Sequence, residues 1–367
     1  MAGRRLANGP GMAGRATTIP KIHLHCHLEG SLRGSTFVDL AAKHGVPLRY
    51  HPARSEGGAF LDEPAEPVDP KDPYRFKDFQ EFLLAFAAAS RALQDPEDYA
   101  RLAREFVEDA LEQKVVYGEL FISPSVWTFF HRDLDVRATV AAIVHELRAA
   151  RPRAHFSLIV DLTRNFGPER AMDTARLAAG LTDLDVIGVG LGGDEARFPA
   201  ELFEAPFAFA RAQGLHVVAH AGEAAGAPSV RNAVEVLAAE RIGHGIAALQ
   251  DESVVDLLAD RAIPVEVCPT SNVLTGAALE EGHAFEEFDR AGCIVIVDAD
   301  DPSMFHTSIE REYAIVEQSA GSAMLERFVR NAVDASFAAG DVKRALRQRL
   351  SAESAGGRRS ESEHVRA

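Results

Sequence analysis

Residues 21–30 read KIHLHCHLEG, an apolar run in which histidine recurs at every second position. This alternation is typical of a β-strand, because side chains at positions i and i+2 of a strand point to the same face. His25 and His27 therefore share a face at the end of a predicted strand over 22–26, and His23 lies on that face one step deeper. Two neighbouring imidazoles can begin a metal site, although an HxH pair alone is weak evidence for one.

Similar β-branched runs recur along the chain, and segments of helical period separate them. The predicted strands are 22–26, 115–122, 155–162, 185–191, 215–220, 241–245, 263–268 and 293–299. The clearest intervening helix is predicted over 95–114, where Asp95 can cap the first turn and Pro96 suits the first position. Strands that alternate with helices indicate an α/β fold with a parallel sheet, most simply a (β/α)8 TIM barrel. A doubly wound open sheet gives a similar pattern and is the alternative.

One connection is far longer than a βα unit needs, since about 88 residues separate the first two predicted strands. The barrel is therefore predicted to carry an extra helical insert, at about 46–95, between strand 1 and strand 2. Residues 74–86 of this insert read YRFKDFQEFLLAF and place phenylalanine at helical spacing. Such a helix can pack its aromatic stripe on the barrel, form a wall over the barrel mouth, or do both.

The chain of 367 residues is predicted to hold a single domain over 19–350. Residues 1–18 are rich in Arg, Gly and Ala and lack the apolar core of a secretory signal, so we expect a flexible lead. Residues 351–367 are polar and of low complexity, which predicts a disordered tail.

Composition argues against several classes of partner. The net charge of −16 disfavours a nucleic-acid backbone, which binds clustered cations. No run of apolar residues is long enough for a membrane span. The cysteines are odd in number and far apart, which disfavours a disulfide framework and fits a reducing cytoplasm; they are Cys26, Cys268 and Cys293. We therefore expect a small-molecule partner, and the sequence leaves the oligomeric state open.

Polar residues follow several of the other predicted strands. They are His220 and Glu223 in HAGE, His244 in GHG, and Asp298, Asp300 and Asp301 in DADDP. In a barrel these strand ends meet at one mouth, where active sites are built. Three imidazole nitrogens and one carboxylate oxygen can come from His25, His27, His220 and Asp300. This donor set suits zinc, and less strongly iron or manganese.

Two further residues can do chemistry beside such a metal. Glu223 is near enough to His220 in sequence to move protons at the same site, and His244 can orient or deprotonate a water molecule. The structural alternatives are a carboxylate at a helix start for Glu223 and a buried, hydrogen-bonded histidine for His244.

The motifs PKIHLHCHLEGSLR, LGGDE, HAGE, RIGHG, EVCPTSN and DDP occur in this order between Pro20 and Pro302. Together they resemble the adenosine deaminase family of the amidohydrolase superfamily. The resemblance implies a (β/α)8 barrel with one zinc ion per chain that removes the 6-amino group of an aminopurine by hydrolysis. It also implies the set of zinc ligands, which is His25, His27, His220 and Asp300.

The same resemblance implies roles for the residues around the metal. Glu223 would protonate ring atom N1, and His244 would orient the attacking water. Asp301 would hydrogen-bond N7, and the backbone N–H of Gly193 would meet N3. Glu29 occupies the position at which relatives of the animal type carry an aspartate that touches the ribose 5′-hydroxyl.

Departures from the family pattern bear on the substrate. Phe121 stands where many relatives have arginine, and Glu29 is longer than the usual aspartate. We expect adenosine or deoxyadenosine as substrate. The alternatives are free adenine and 6-aminodeoxyfutalosine, an adenine nucleoside with a carboxylated aromatic group in place of the 5′-hydroxyl. Arg33 is a candidate to meet that carboxylate and is otherwise a surface arginine. A nucleoside-binding protein without catalysis is a remote alternative, because such a protein would be expected to lack a metal ligand or Glu223, and this chain lacks neither.

Overall fold

The computed structural model describes residues 14–48, 68–278 and 283–364, with side chains described as far as residue 353. Its centre is a parallel sheet in which each strand pairs with the next along the chain. The strands are β1 Lys21–His27, β2 Val115–Ile122, β3 His155–Asp161, β4 Val186–Gly190, β5 His216–Ala221, β6 Arg241–His244, β7 Val265–Val267 and β8 Val295–Val297. All eight predicted strands are therefore confirmed.

The sheet closes on itself between its last and first strands. Cys26 of β1 pairs in parallel with Asp300, just beyond β8. The backbone N–H of His27 donates to the carbonyl of Asp300 at 2.9 Å, and that of Asp300 donates to the carbonyl of His25 at 3.1 Å. A closed ring of eight parallel strands is a (β/α)8 barrel. The predicted fold is confirmed, and the open-sheet alternative is wrong.

Helices cover the outside of the barrel. Within the described ranges they are α1 Arg15–Thr18, α2 Gly34–His44, α3 Phe79–Ala92, α4 Pro96–Glu112, α5 Pro124–Phe130, α6 Val136–Ala149, α7 Gly167–Ala179, α8 Glu204–Ala212, α9 Ala227–Glu235, α10 Glu252–Asp260, α11 Pro269–Leu274, α12 Ala284–Arg290, α13 Ile309–Ala320, α14 Ser322–Ala335 and α15 Gly340–His364. Over the described residues, every helix is too short or too polar to cross a bilayer.

Helix α4 begins as its sequence predicts. The Asp95 carboxylate accepts from the N–H groups of Glu97 and Asp98 at 3.0 Å. The Asp98 carboxylate accepts in turn from the Asp95 N–H, which completes a capping box. The apolar face of the helix, which includes Leu102 and Phe106, is buried against the barrel. Capping and burial of one face together place α4 between the insert and β2.

Helix α3 is the aromatic helix of the insert. Phe82 is buried and stacks on Phe305, with 4.8 Å between ring centroids, so part of the stripe packs on the barrel. Phe79, Leu83 and Phe86 line a cavity at the barrel mouth. Both interpretations of this segment therefore hold. Residues 49–67 of the predicted insert lie outside the described residues.

The described residues near both ends of the chain form helix within segments that were predicted to be flexible or disordered. Residues 14–18 were expected to be flexible, yet the N–H groups of Arg15 and Ala16 donate to the Glu317 carboxylate at 2.9 Å, and Ala16 is buried. Residues 1–13 lie outside the described residues. At the other end α15 continues to His364 into the segment predicted to be disordered, because a helix that has already formed extends at little cost.

Candidate active site

The four predicted metal ligands come together at the carboxyl ends of the strands. His27 Nε2 lies 3.0 Å from His220 Nε2, and Asp300 Oδ1 lies 3.3 Å from His25 Nε2 and 3.5 Å from His27 Nε2. His25 Nε2 is buried and has no hydrogen-bond partner among the described residues. Nitrogen and oxygen lone pairs that converge in this way fit a shared metal ion. His244 also belongs to this group, because one ligand atom from each of His25, His220, His244 and Asp300 lies within 4.8 Å of the others.

Two of these histidines, His27 and His220, are in the neutral form that binds metal. Burial lowers the pKa of His27 to about 3 and that of His220 well below its ordinary value, so both rings are neutral. Burial also acts to lower the pKa of His25, but the carboxylates of Asp300 and Glu266 outweigh it and raise the pKa to about 10. A metal ion bound by His25 Nε2 would take the place of the proton on that nitrogen.

A row of buried, charged side chains orients His25 from the side of the ring opposite the cluster. Its Nδ1 atom lies 2.9 Å from Glu266 Oε2, so the other ring nitrogen faces the cluster. Glu266 pairs in turn with Arg241, whose guanidinium also lies 2.7 Å from Glu119. Sequence analysis missed Glu266, although it stands in the quoted motif EVCPTSN. The available signal was charge inside predicted buried strands, at Glu119, Arg241 and Glu266.

Asp300 and His244 have left-handed backbone conformations, with φ of 61° and 62°. Such values are uncommon outside glycine and are found at functional sites. Helix α11 supports both side chains through neighbouring residues of its first turns. Ser271 Oγ donates to Asp300 Oδ2 at 2.7 Å, and Asn272 Oδ1 lies 2.8 Å from His244 Nδ1. His244 therefore directs Nε2 toward the cluster.

Glu223 lies beside His244, with 3.5 Å between Glu223 Oε2 and His244 Nε2. Burial raises the pKa of Glu223 to about 7, so this carboxyl can hold a proton near neutral pH. The turn that carries it is shaped by Glu195, whose carboxylate accepts from the N–H groups of Gly222 at 2.6 Å and Glu223 at 3.0 Å. Sequence analysis missed this role of Glu195 in LGGDE.

The glycine pair at 192–193 forms another part of the site. Gly193 has φ of 96°, and a Cβ atom there would clash with the Asn165 side chain, so only glycine fits. The N–H of Gly192 donates to Asp161 Oδ1 at 2.6 Å. Asp161 is buried and lines the cavity, but sequence analysis missed it. It ends a predicted strand in HFSLIVDL, which is the same signal that identified the other acids.

The cluster opens on a cavity that is connected to solvent. The residues predicted for the site from the sequence that line this cavity are His27, Gly193, His220, Glu223, His244, Asp300 and Asp301. Its apolar side chains include Phe79, Phe82, Leu83, Phe86, Val126, Phe130, Phe166 and Phe198. A pocket with a few convergent polar groups and broad apolar walls is the usual form of a small-molecule site.

Of the predicted substrate contacts, Asp301 lines the cavity and Glu29 does not. Asp301 lines the cavity, is buried, and its Oδ1 atom has no hydrogen-bond partner among the described residues. Burial raises the pKa of Asp301 well above its ordinary value. Glu29 is fully buried behind the cavity wall, where Oε1 accepts from the Ser123 N–H at 2.8 Å and from Trp127 Nε1 at 2.6 Å. Ser123 itself lines the cavity.

The structure separates His23 from the other two histidines. The pairing register of β1 with β2 shifts between His23 and Cys26. His23 lines a second cavity with Phe106 and Ser303, and its Nε2 atom lies 3.8 Å from Asp298 Oδ1. The expected position beneath His25 and His27 is therefore wrong, because strict alternation breaks at the register shift.

Arg33 lies at the surface, and Phe121 is buried beside the predicted metal ligands. Arg33 pairs with Asp109 at 2.6 Å and Glu108 at 3.1 Å at the surface, so it is a surface arginine and does not line the cavity. Phe121 is fully buried and stacks on His27, with 4.9 Å between ring centroids. Its ring centroid also lies 5.2 Å from that of His25, so an aromatic ring packs on two of the predicted metal ligands.

Comparison with known proteins agrees with this site. The sequence model of the adenosine deaminase family matches residues 20–353. The chain is 32% identical to an adenine deaminase from Rhizobium leguminosarum bv. trifolii, over 90% of this chain and 99% of the relative. It is 36% identical to an aminodeoxyfutalosine deaminase from Streptomyces coelicolor, over 87% of this chain and 80% of the relative.

A solved structure shares the fold. The crystal structure of an amidohydrolase from Burkholderia ambifaria with bound zinc superposes with a TM-score of 0.77 at 26% identity, covering 92% of this chain and 91% of that one. The family match over most of the chain, the relatives above 30% identity and the shared barrel agree with one another. The chain therefore belongs to the adenosine deaminase family and is a hydrolase that cleaves a C–N bond.

Proposed function

We propose that this enzyme is a zinc-dependent deaminase of a 6-aminopurine nucleoside that carries a bulky aromatic group, with a 6-oxopurine and ammonia as products. The observation that carries the proposal is the convergence of His25, His27, His220 and Asp300 in the cavity that Glu223 and Asp301 also line. Water adds at C6, the bond from C6 to the amino nitrogen breaks, and the amino group leaves as ammonia.

One zinc ion per chain fits the donors, which are three imidazole nitrogens and one carboxylate oxygen. The relative from Burkholderia ambifaria with bound zinc supports this choice of metal. A bound zinc ion would supply the Lewis acid that activates water near neutral pH. His25, His27, His220 and Asp300 would hold it, and the Glu266 carboxylate would keep His25 in the orientation that ligation needs.

Glu223 and His244 handle protons in this proposal. Glu223 holds a proton near neutral pH and gives it to ring atom N1, which makes C6 open to attack. His244 has its Nδ1 atom fixed by Asn272 and turns Nε2 to the cluster, where it orients the attacking water. Protonation of N1 and attack at C6 then proceed from different sides of the base.

Three groups position the purine. The N–H of Gly193 meets N3, since no side chain keeps the base from this backbone. Asp301 lines the cavity and its buried Oδ1 atom has no partner among the described residues, so this carboxyl hydrogen-bonds N7. Glu29 acts on the sugar side through Ser123, whose N–H it binds and which lines the cavity.

The shape of the cavity favours a large substrate. Free adenine would contact little of the apolar wall, whereas an aromatic substituent would cover the phenylalanines of α3. The relatives named for adenine and aminodeoxyfutalosine also support a substrate other than the expected adenosine. We propose 6-aminodeoxyfutalosine as the first candidate because of the apolar walls. Adenine is the second candidate, since the adenine deaminase relative is covered over 99% of its length.

The test is ammonia release by the zinc-loaded protein from 6-aminodeoxyfutalosine, adenine, adenosine and deoxyadenosine in parallel. We expect the largest kcat/KM for 6-aminodeoxyfutalosine. A higher value for adenine would favour the second candidate, and a higher value for adenosine would restore the first expectation. No ammonia from any of the four, with zinc bound, would overturn the deaminase proposal.

A further inference from the structure

The cavity wall contains one permanent cation. Among the described residues that line it, Arg197 is the only lysine or arginine. The acids of the same wall are Asp161, Glu223, Asp300 and Asp301. A cation in a wall of this composition either balances these acids or meets an anion on the ligand.

The Arg197 guanidinium is held in one orientation. Its Nε atom donates to Asp194 Oδ2 at 2.5 Å, and Nη2 lies 2.5 Å from the same oxygen. Its Nη1 atom has no hydrogen-bond partner among the described residues, and the side chain is 40% exposed. Asp194 is almost fully buried, so it anchors one edge of the guanidinium and leaves the other edge available.

The loop that carries Arg197 is tied to the metal cluster. The buried Arg164 donates from Nη1 to the carbonyl of Phe198 at 2.8 Å and from Nη2 to the carbonyl of His220 at 2.5 Å. Phe198 therefore keeps a fixed place relative to His220, which is one of the four predicted ligands. Arg197 is the adjacent residue, so its distance from the reacting end of the substrate is set by the fold.

We propose that Arg197 is a specificity-determining residue that binds an anionic group, a carboxylate or a phosphate, on the part of the substrate remote from the purine. The inference rests on the proposed function. Phe166 and Phe198 line the cavity with Arg197, and an anion that meets its free edge would form a charge-assisted hydrogen bond. A neutral nucleoside would leave the free edge of Arg197 unused. An anion would gain the bond and offset the repulsion from the acids of the wall.

The test compares wild type, Arg197→Gln, Arg197→Lys and the surface control Arg176→Gln. The substrates are 6-aminodeoxyfutalosine, its methyl ester, adenosine 5′-monophosphate and adenosine. We expect Arg197→Gln to raise KM about tenfold to a hundredfold for the preferred anion, with kcat little changed and the ester and adenosine unaffected. Arg197→Lys should recover part of the loss, and Arg176→Gln should match wild type. The anion with the larger effect identifies the source of the charge.

Equilibrium binding separates this inference from the proposed function. The dissociation constants of the 6-oxo product of 6-aminodeoxyfutalosine and of its methyl ester are measured by calorimetry for the same variants. If no substrate releases ammonia but Arg197→Gln still weakens only the anionic compound, the proposed function fails and the inference stands. If Arg197→Gln weakens acid and ester equally, or neither, Arg197 does not recognise the anion and the inference is overturned.

Discussion

At the scale of single residues, Glu223 is the group whose removal tests the chemistry most directly. Its carboxyl lies 3.5 Å from His244 and outside the set of four ligands. Glu223→Gln keeps the size of the side chain but cannot transfer a proton, so we expect turnover to fall at least about a hundredfold while zinc stays bound. Ammonia release and metal content measure the two effects, and the exposed Glu252→Gln serves as control. Activity close to wild type would exclude Glu223 as the proton donor.

His25 and His23 form a matched pair on one strand. His25 faces the cluster, whereas His23 lines the second cavity beyond the register shift of β1. We expect His25→Ala to lose bound metal and turnover together, and His23→Ala to retain stoichiometric metal. Metal content after gel filtration measures the difference. A His25→Ala variant that keeps one zinc per chain would remove this residue from the ligand set.

Sequence alone could indicate the residues whose signal is local. The alternate histidines and the polar strand ends are visible within a few positions of one another. Glu266 and Arg164 could not be assigned in this way, because their partners His25 and His220 stand 241 and 56 positions away. Their roles follow only once the barrel has brought distant strands side by side.

At the scale of the element, Asp98 links helix capping to pH. Burial opposes its ionisation, but hydrogen bonds from Lys43 at 2.6 Å, the Gln94 N–H and His44 hold its pKa below 3.8. The ionised form therefore stabilises the fold fully above about pH 3.8, and this contribution is lost as the pH falls through the lower pKa of the folded state. We expect Asp98→Asn to lower the free energy of unfolding by about 1–2 kcal/mol at pH 7.

Urea denaturation at pH 7 and near pH 3 measures this effect, and the difference from wild type should narrow at the lower pH. Asp95→Asn is the matched control, because asparagine caps a helix about as well as aspartate and should cost little at either pH. An Asp98→Asn difference that is the same at both pH values would show that charge is not what Asp98 contributes.

The elements themselves were largely readable from the sequence. Each strand begins and ends within two residues of its predicted bounds, because β-branched runs between turn residues mark strands clearly. The register shift at His23 was not readable, since pairing with β2 sets it. The helix Arg15–Thr18 was missed for a related reason: Glu317 of α13, which holds its N–H groups, is about 300 residues away.

At the scale of the whole molecule, the four predicted metal ligands join the first strand to the chain beyond the last. His25 and His27 come from β1, His220 from β5, and Asp300 from the chain just beyond β8. An ion held by all four would link distant parts of the folded chain and bind the unfolded chain poorly. Removal of zinc with a chelator should therefore lower Tm by roughly 5 °C.

Differential scanning calorimetry with and without chelator measures this shift. His25→Ala should already have the lower Tm and should show no further change on chelation. A wild-type Tm that does not respond to complete removal of zinc would mean that the ion does not stabilise the pairing of β1 with the chain beyond β8.

The seam between Cys26 and Asp300 also sets an order of events during biosynthesis. His25 and His27 are translated well before Asp300, which stands more than 270 positions further along the chain. The complete set of four ligands cannot exist on a shorter nascent chain. An ion held by all four would therefore be acquired only after Asp300 has been translated, and a chain interrupted before that point would lack the complete site.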